Sequence, residues 1–460
     1  MTMDSLHILS LGCARNDVDS EELAARFSAD GFSLVENPED ADVIVANTCG
    51  FIEAAKAESI DEILSMAELK NHGKVRKVIA AGCMATRYGQ ELASSLVEAD
   101  AVIGFDGYPD IAHTVRQLLA GTPIESHTPT DRRHKGIKSL PLTVTQPEIP
   151  VPAWLPTRKR LSDSPMAPLK IASGCDRRCT FCAIPAFRGN LVSRLAEDIV
   201  REARWLGEQG VKELFLVSEN TTAYGKDLGN PTALEALLSD LSEVEGIEWI
   251  RLSYLQPAEV RQSLIEAIAS TRKVVPYMDL PFQHASPSVL KRMRRFGDAD
   301  SFLGLLGDIR SYLPNVGIRT NVIVGFPGET QDDLKILAQF LAEASLDAIG
   351  VFPYSNEEGT QAFSLDNHID GDEILSRAAR LTEFADIVTS IRAGERTGER
   401  VDVLIESVED GFEGRSAQQG PEDGHTYVTV RTPNPPDLSP GIIISGVISD
   451  TDGVDWHVDV

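Results

Sequence analysis

Short apolar runs alternate with amphipathic stretches over the first 120 residues. Leu6 to Leu11, Val43 to Ala46, Val78 to Ala81 and Ala101 to Ile103 are continuous runs of the kind that form buried strands. Between them, Ser20 to Phe27, Ile52 to Leu69 and Gln90 to Val97 repeat apolar residues at helical spacing and keep a polar face. Asp19 or Ser20 stands where a cap for the first helix belongs, and Gly31 where that helix should end. The pattern predicts a small parallel α/β domain over residues 1–120.

From Gly121 to Pro168 the periodicity fades and prolines accumulate, which predicts a connector over 121–168, free or wrapped on the surface. Its basic clusters, Arg132-Arg133-His134-Lys135 and Arg158-Lys159-Arg160, are open to a phosphate contact, but a solvated linker is the plainer reading. Residues 169–392 then repeat strand and helix six times. Strands are expected to begin near Leu169, Leu214, Trp249, Val275, Arg319 and Ala348, with helices such as Glu197 to Leu206, Thr330 to Ala342 and Glu373 to Ile391. Six units suit a partial parallel (β/α)6 barrel, whose chemistry lies at the carboxyl ends of its strands. Past Gly394 come short alternating runs, Val401 to Glu406, Tyr427 to Val430, Gly441 to Ile448 and Val454 to Val458, so 393–460 reads as a small antiparallel β-barrel.

Composition narrows the picture. At 460 residues, 42% hydrophobic and 25% charged, the chain is too long for one core and too apolar to be mostly disordered. No apolar run reaches the roughly 18 residues of a membrane helix, and the first ten residues lack a basic segment, so a cytoplasmic protein without a membrane partner is expected. The net charge of -27 sets 43 Lys and Arg against 70 Asp and Glu, and residues 393–460 hold 14 Asp or Glu against four Arg and no Lys. A nucleic acid would meet repulsion unless a local patch overrides it, whereas a basic or neutral protein partner is easier to accommodate; acidity that serves only solubility is the competing reading.

The cysteines carry the candidate chemistry. Cys175, Cys179 and Cys182 stand in C-x3-C-x2-C, a spacing that lets a turn bring three sulfurs to one soft metal centre. Three ligands leave one metal position open for a substrate, which points to a 4Fe-4S cluster with one free iron; a zinc site completed by a distant His, or three unliganded thiols, are the alternatives. Cys13, Cys49 and Cys83 each follow an expected strand, and in a parallel sheet those strand ends share one edge, so the three can meet. The reading is a second three-cysteine 4Fe-4S cluster, against three buried inert thiols. Other barrel strand ends carry small or polar residues, Ser218-Glu219-Asn220, Tyr254-Leu255-Gln256-Pro257, Gln283-His284, Gly325 to Thr330 and Tyr354 to Thr360, as a mouth for a polar cofactor requires. Gly325 to Thr330 lacks the ending of a Walker loop, and a lone His284 is more often structural.

The triad with Phe181 before its last cysteine resembles the radical S-adenosylmethionine (SAM) enzymes. The order of modules resembles the methylthiotransferases within them, the last module being similar to a TRAM domain. Gly12-Cys13-Ala14-Arg15-Asn16, Asp19-Ser20-Glu21, Leu280 to Ser286, Glu357 to Thr360 and Gly414-Arg415-Ser416 resemble the branch that modifies an aspartate of ribosomal protein S-twelve, rather than the branch that modifies transfer RNA. Ser218-Glu219-Asn220 departs from the Gln-Asp of many relatives. The resemblance implies SAM and two 4Fe-4S clusters as cofactors, Cys175, Cys179 and Cys182 as the radical-generating set, and Phe181, Ser218, Glu219, Gln283, Gly325 and Pro327 as neighbours of SAM. It also implies an electron donor such as a flavodoxin or ferredoxin. An aspartate β C–H is too weakly acidic for a side-chain base. In the family a deoxyadenosyl radical removes that hydrogen, sulfur comes from the Cys13, Cys49 and Cys83 cluster, and a second SAM supplies the methyl.

Overall fold

The computed structural model describes residues 3–133, 158–431 and 438–460. The first unit runs β1 (Ser5–Ser10), α1 (Ala14–Ala29), β2 (Ser33–Leu34), β3 (Val43–Thr48), α2 (Glu53–His72), β4 (Lys77–Ala81), α3 (Gly82–Ser95), β5 (Ala101–Ile103) and α4 (Ile111–Leu119). Its sheet is parallel, in the order β2-β1-β3-β4-β5. Both faces are covered, which is why β3 is buried throughout and reads as one apolar run. One expectation fails: α1 begins directly after Cys13, so Asp19 and Ser20 lie inside it rather than capping it. Asp19 faces the second unit instead, where it accepts from Lys170 Nζ (2.5 Å) and from Arg188 (3.0 Å).

The second unit begins with β6 (Met166–Lys170), β7 (Ala172–Ser173), α5 (Ile184–Arg188), β8 (Val192–Ser193), α6 (Ala196–Glu208), β9 (Glu213–Val217), α7 (Ala233–Ser242), β10 (Trp249–Leu252) and α8 (Gln262–Ser270). It continues through β11 (Tyr277–Asp279), α9 (Pro287–Arg292), α10 (Ala299–Tyr312), β12 (Gly317–Val324), α11 (Gln331–Glu343), β13 (Ala348–Pro353) and α12 (Gly371–Glu395). The six parallel strands pair as β6-β9-β10 and β11-β12-β13. A bridge between Ile250 and Val274 and a bond from Leu255 N–H to the Asp279 carbonyl (2.9 Å) join the two halves into a partial barrel. Leu169, Leu214, Leu216, Ile250, Met278 and Ile318 belong to its buried core.

The second basic cluster is a strap and not a solvated linker. Arg158 is 1% exposed and pairs with Glu21 of α1 (2.6 Å) and Glu202 of α6 (2.7 Å), because a buried guanidinium needs carboxylates around it. Arg132 is buried against Asp106, while His134, Lys135 and the prolines from 141 to 156 lie outside the described residues.

The last unit is a closed barrel, β14 (Arg400–Ser407), β15 (Phe412–Ser416), β16 (Thr426–Thr429), β17 (Ile443–Asp452) and β18 (Asp455–Asp459), in the order β14-β15-β16-β18-β17. β16 and β18 are parallel and the other pairs antiparallel. It packs on the amino ends of the partial-barrel strands. Glu213, which opens β9, binds Arg415 (2.7 Å) and Arg251 (2.5 Å), and Tyr277, which opens β11, donates to Asp423 (2.7 Å). The carboxyl ends are left for the site. Among the described residues no helix is long and apolar enough to cross a membrane.

Candidate functional site

The loop after β6 and β7 carries Cys175, Cys179 and Cys182. Gly174 sits at φ +75°, and a Cβ there would meet the Asn190 carbonyl at 2.1 Å, so only glycine lets the loop close on the 189–190 segment. Cys175 N–H then donates to the Gly189 carbonyl (3.1 Å), Cys182 N–H to that of Cys179 (3.2 Å), and Thr180 N–H to that of Met293 (3.2 Å). Burial pushes the Cys175 thiol up to about 12, with Cys179 and Glu219 adding to it. Burial likewise raises Cys182, and its neighbours Cys179 and Cys175 add to the rise. Two thiols raised in this way ionise together only beside a strong cation, which is the environment a metal cluster supplies.

The other three cysteines come from separate loops. Cys13 precedes α1, Cys49 follows β3, and Cys83 lies in the first turn of α3. Gly12 (φ +96°) lets the first loop press against the second, since a Cβ there would lie 2.7 Å from the Cys49 Cβ. Burial pushes Cys83 up to about 12, and Cys13 and Cys49 are near enough to contribute; Arg188 opposes them by donating to Cys83 Sγ (3.2 Å). Among the described residues no three His, Cys, Asp or Glu side chains stand close enough to share a single metal ion. A cubane asks less of its cysteines, because each binds a different iron.

Two buried arginines stand between the groups. Arg188, six residues past Cys182, also donates to Asn16 Oδ1 (2.9 Å). Arg15 donates to the Ser218 carbonyl (2.9 Å) and lies over the Tyr254 ring at 5.0 Å. Burial disfavours the Arg15 charge, but Cys13, Glu219 and Tyr254 overcome it and hold the guanidinium above its usual range. Glu219 lies 3.6 Å from each arginine's Nε, and neither of its buried oxygens has a hydrogen-bond partner among the described residues.

Cys175, Cys179, Cys182, Arg15 and Glu219 border one cavity of about 250 Å³ at the carboxyl end of the partial barrel. Cys175, Cys179, Phe181 and Cys182 form one wall, Arg15, Phe51 and Ile52 of the first unit another, and Glu219, Gln256, Gln283 and Asn321 face in from the strand ends. Gln283 holds φ +72°, an uncommon conformation for a non-glycine residue, kept in place by ladder bonds to Asn321 and Ile323.

Three expected SAM neighbours lie elsewhere. Ser218 is fully buried behind the wall, its hydroxyl 3.1 Å from that of Thr221. Gly325 spends its N–H on the Glu329 carboxylate (3.0 Å), which Arg377 also binds (2.8 Å), and Pro327 of the same loop is not on the cavity lining. His284 belongs to this network as a structural residue: its Nδ1 accepts from the Ala285 and Ser286 amides, and Nε2 points at Glu329 3.5 Å away. Sequence reasoning missed Arg188 and Arg295, the latter 3.9 Å from Cys179 Sγ and 2.6 Å from Gln256. Their signal is slight, since an arginine is ordinarily a surface residue.

Comparison with known proteins agrees with this architecture. The sequence model of the Radical SAM superfamily matches residues 169–341, and that of Uncharacterized protein family UPF0004 matches 5–104. The chain is 54% identical over 466 residues to a Nocardioides protein named ribosomal protein uS12 methylthiotransferase RimO, covering 97% of this chain and 96% of that one. A Cutibacterium acnes protein of the same name is 52% identical over 469 residues, covering 98% and 97%. The solved radical SAM methyltransferase TsrM from Kitasatospora setae shares the fold at a TM-score of 0.52 and 13% identity, covering 76% of this chain and 74% of that one. Fold and cysteine loop together define a radical SAM enzyme, for which the superfamily implies SAM and a 4Fe-4S cluster. Within that class, the chain belongs to the RimO family of methylthiotransferases.

Proposed function

We propose that this enzyme adds a methylthio group to the β-carbon of an aspartate in ribosomal protein uS12, the S-twelve of the small subunit, in the cytoplasm. The observation that carries the reading is the shared cavity: Cys175, Cys179 and Cys182 line it, and Arg15, two residues from Cys13, faces them across it. Cys175, Cys179 and Cys182 would hold the radical-generating 4Fe-4S cluster, and Cys13, Cys49 and Cys83 a second one. When bound, SAM and the clusters supply the radical, sulfur and methyl chemistry that no side chain here provides.

The chain's own residues bind, orient and exclude. Phe51, Ile52 and Phe181 give the cavity apolar walls that keep water from a reactive radical. Glu219 offers two unused acceptor oxygens to donors on a bound molecule, while Gln256, Gln283 and Asn321 present amides to its polar groups. Arg15 and Arg188 compensate the negative charge that three thiolates bring to the first unit.

An electron donor such as a flavodoxin or ferredoxin is the expected partner besides uS12. One observation favours transfer RNA as a second reading: His425, Tyr427 and His457 stack on the terminal barrel, with centroids 6.3 and 5.5 Å apart, and rings of this kind take bases. Glu413, Asp452 and Asp455 beside Tyr427 oppose a phosphate backbone there. Mass spectrometry of uS12 and of transfer RNA from a strain lacking the gene decides between them. Loss of the methylthio mass from uS12 alone is expected; unmodified uS12 in the parent strain, or loss only from transfer RNA, would overturn the assignment.

A further inference from the structure

A second chamber of about 70 Å³ lies inside the partial barrel, on the far side of Arg15 from the main cavity. It is bounded by Tyr277, Pro421 and the exposed Glu422 near the amino ends of the strands, and by Cys13 and Ala14 near the carboxyl ends. Parallel barrels normally fill this axis with apolar side chains in layers. Here Ser253, Asp279, Arg319 and Asn321 face it. Asp279 Oδ1 and Asn321 Oδ1, in residues 5% and 8% exposed, have no hydrogen-bond partner among the described residues. Two buried acceptors left open on a space lined also by Phe215 and Val217 call for a small guest that donates hydrogen bonds and tolerates an apolar wall.

The space holds about five water-sized molecules at some 10–15 Å³ each, far too little for SAM or a peptide. The methylthio group needs a sulfur atom at every turnover, and the main cavity is then occupied by SAM and the substrate. We propose that the chamber binds hydrogen sulfide or hydrosulfide, one inorganic source in two protonation states, and delivers it to the Cys13 side of the first-unit cysteines. The proposal rests on the reading that Cys13, Cys49 and Cys83 hold the sulfur-bearing cluster. S–H groups would meet Asp279 and Asn321, and Arg15 and Arg319 at the two ends would hold the anion. Burial raises the Asp279 carboxyl to about 6, so it stays mostly ionised at neutral pH, an acceptor that favours the neutral, S–H-donating form of the guest.

The test mixes sodium sulfide rapidly with the anaerobic reduced holoenzyme and follows the paramagnetic signal of the first-unit cluster, with and without saturating SAM. Uptake should proceed at the same rate with SAM bound. Ala14→Leu and Val217→Phe, which enlarge two residues of the chamber lining, should slow it about tenfold or more. Either variant suffices if the other does not fold. Uptake blocked by SAM, equal rates in a folded variant, or no response in the unaltered enzyme would overturn the port and leave the chamber as a water site. Full iron retention by the Cys13, Cys49, Cys83→Ala triple variant would instead remove the underlying cluster reading, so the two failures are told apart by an iron count.

Discussion

One cysteine group lines the main cavity and the other lies behind Arg15 at its edge, and the two are built by opposite means. Cys175, Cys179 and Cys182 lie within eight residues, on a loop held by its own backbone bonds and one glycine. Cys13, Cys49 and Cys83 come from the ends of β1, β3 and β4, so their convergence depends on the register of a whole parallel sheet. In the local group Arg295 stands 3.9 Å from Cys179, whereas in the dispersed group Arg188 is within hydrogen-bond reach of Cys83. A local loop sets its own geometry. A dispersed site needs groups from the rest of the fold to hold it, and Arg188 belongs to the other unit.

The largest effects come from deleting each group. The Cys175, Cys179, Cys182→Ala enzyme should retain about half of roughly eight irons per chain and lose reductive SAM cleavage altogether. The Cys13, Cys49, Cys83→Ala enzyme should also keep about half the iron, cleave SAM, and make no methylthiolated uS12. Iron analysis and a 5'-deoxyadenosine assay read both. Loss of SAM cleavage from the second enzyme, with its remaining cluster intact, would mean that the sites do not divide the work.

Arg188→Ala comes next, because it removes the cation that touches the dispersed site directly. Asp19 loses one of its two donors, Cys83 its donor and Glu219 a neighbouring cation, and removing one partner from a buried charge network costs about 3–5 kcal/mol. A lower melting temperature is expected, with iron lost from the first unit. Arg295→Ala, at the longer contact, should leave iron content nearly unchanged. Equal iron loss in the two variants would erase the contrast between the sites.

A smaller and more selective effect is expected of Glu219→Gln. Neither carboxylate oxygen has a hydrogen-bond partner among the described residues, and its two arginines stand 3.6 Å away, so stability should fall less than in Arg188→Ala. If it accepts from SAM, losing a charged hydrogen bond of about 1.5–3 kcal/mol should raise KM for SAM roughly tenfold or more. An unchanged KM with a fallen melting temperature would assign Glu219 to the arginine network alone.

The same contrast explains what the sequence disclosed. The local triad is a spacing, and the dispersed triad could be found because buried parallel strands read as unbroken apolar runs whose ends can be aligned. The groups that hold the dispersed triad were hidden. Asp19 resembles a helix cap until Lys170 and Arg188 arrive from 150 and more residues away, and Arg158 reads as a linker residue until Glu21 and Glu202 surround it. Strand β15 was missed for a related reason. Its Phe-Glu-Gly-Arg-Ser shows no alternation, because Arg415 points to Glu213 of the partial barrel instead of to water. Loop Gly325 to Thr330 misled in the other direction, its free-looking amide being taken by Glu329.

The smallest expected effect concerns the terminal barrel, which lies at the opposite end of the strands from both cysteine groups. Six strand residues at about 3.3 Å each separate the two ends by roughly 20 Å, so acidic charge there acts on the encounter with a partner and not on bond making. Glu399 and Glu406 are unsuitable for reversal, since Arg396 and Arg415 bind them. Glu409, Asp410, Asp450 and Asp452 are exposed, and changing them to Lys turns an attractive surface for a basic protein into a repulsive one. At low salt, kcat/KM for uS12 should fall about tenfold through slower association, and the difference should shrink as salt shortens the Debye length toward about 8 Å. SAM cleavage without uS12 should stay the same, because the changed surface faces away from that cavity. Equal kcat/KM at all salt concentrations would reduce the terminal barrel to a plug on the amino ends of the strands, and tight transfer RNA binding by the unaltered enzyme would give its aromatic stack the other role.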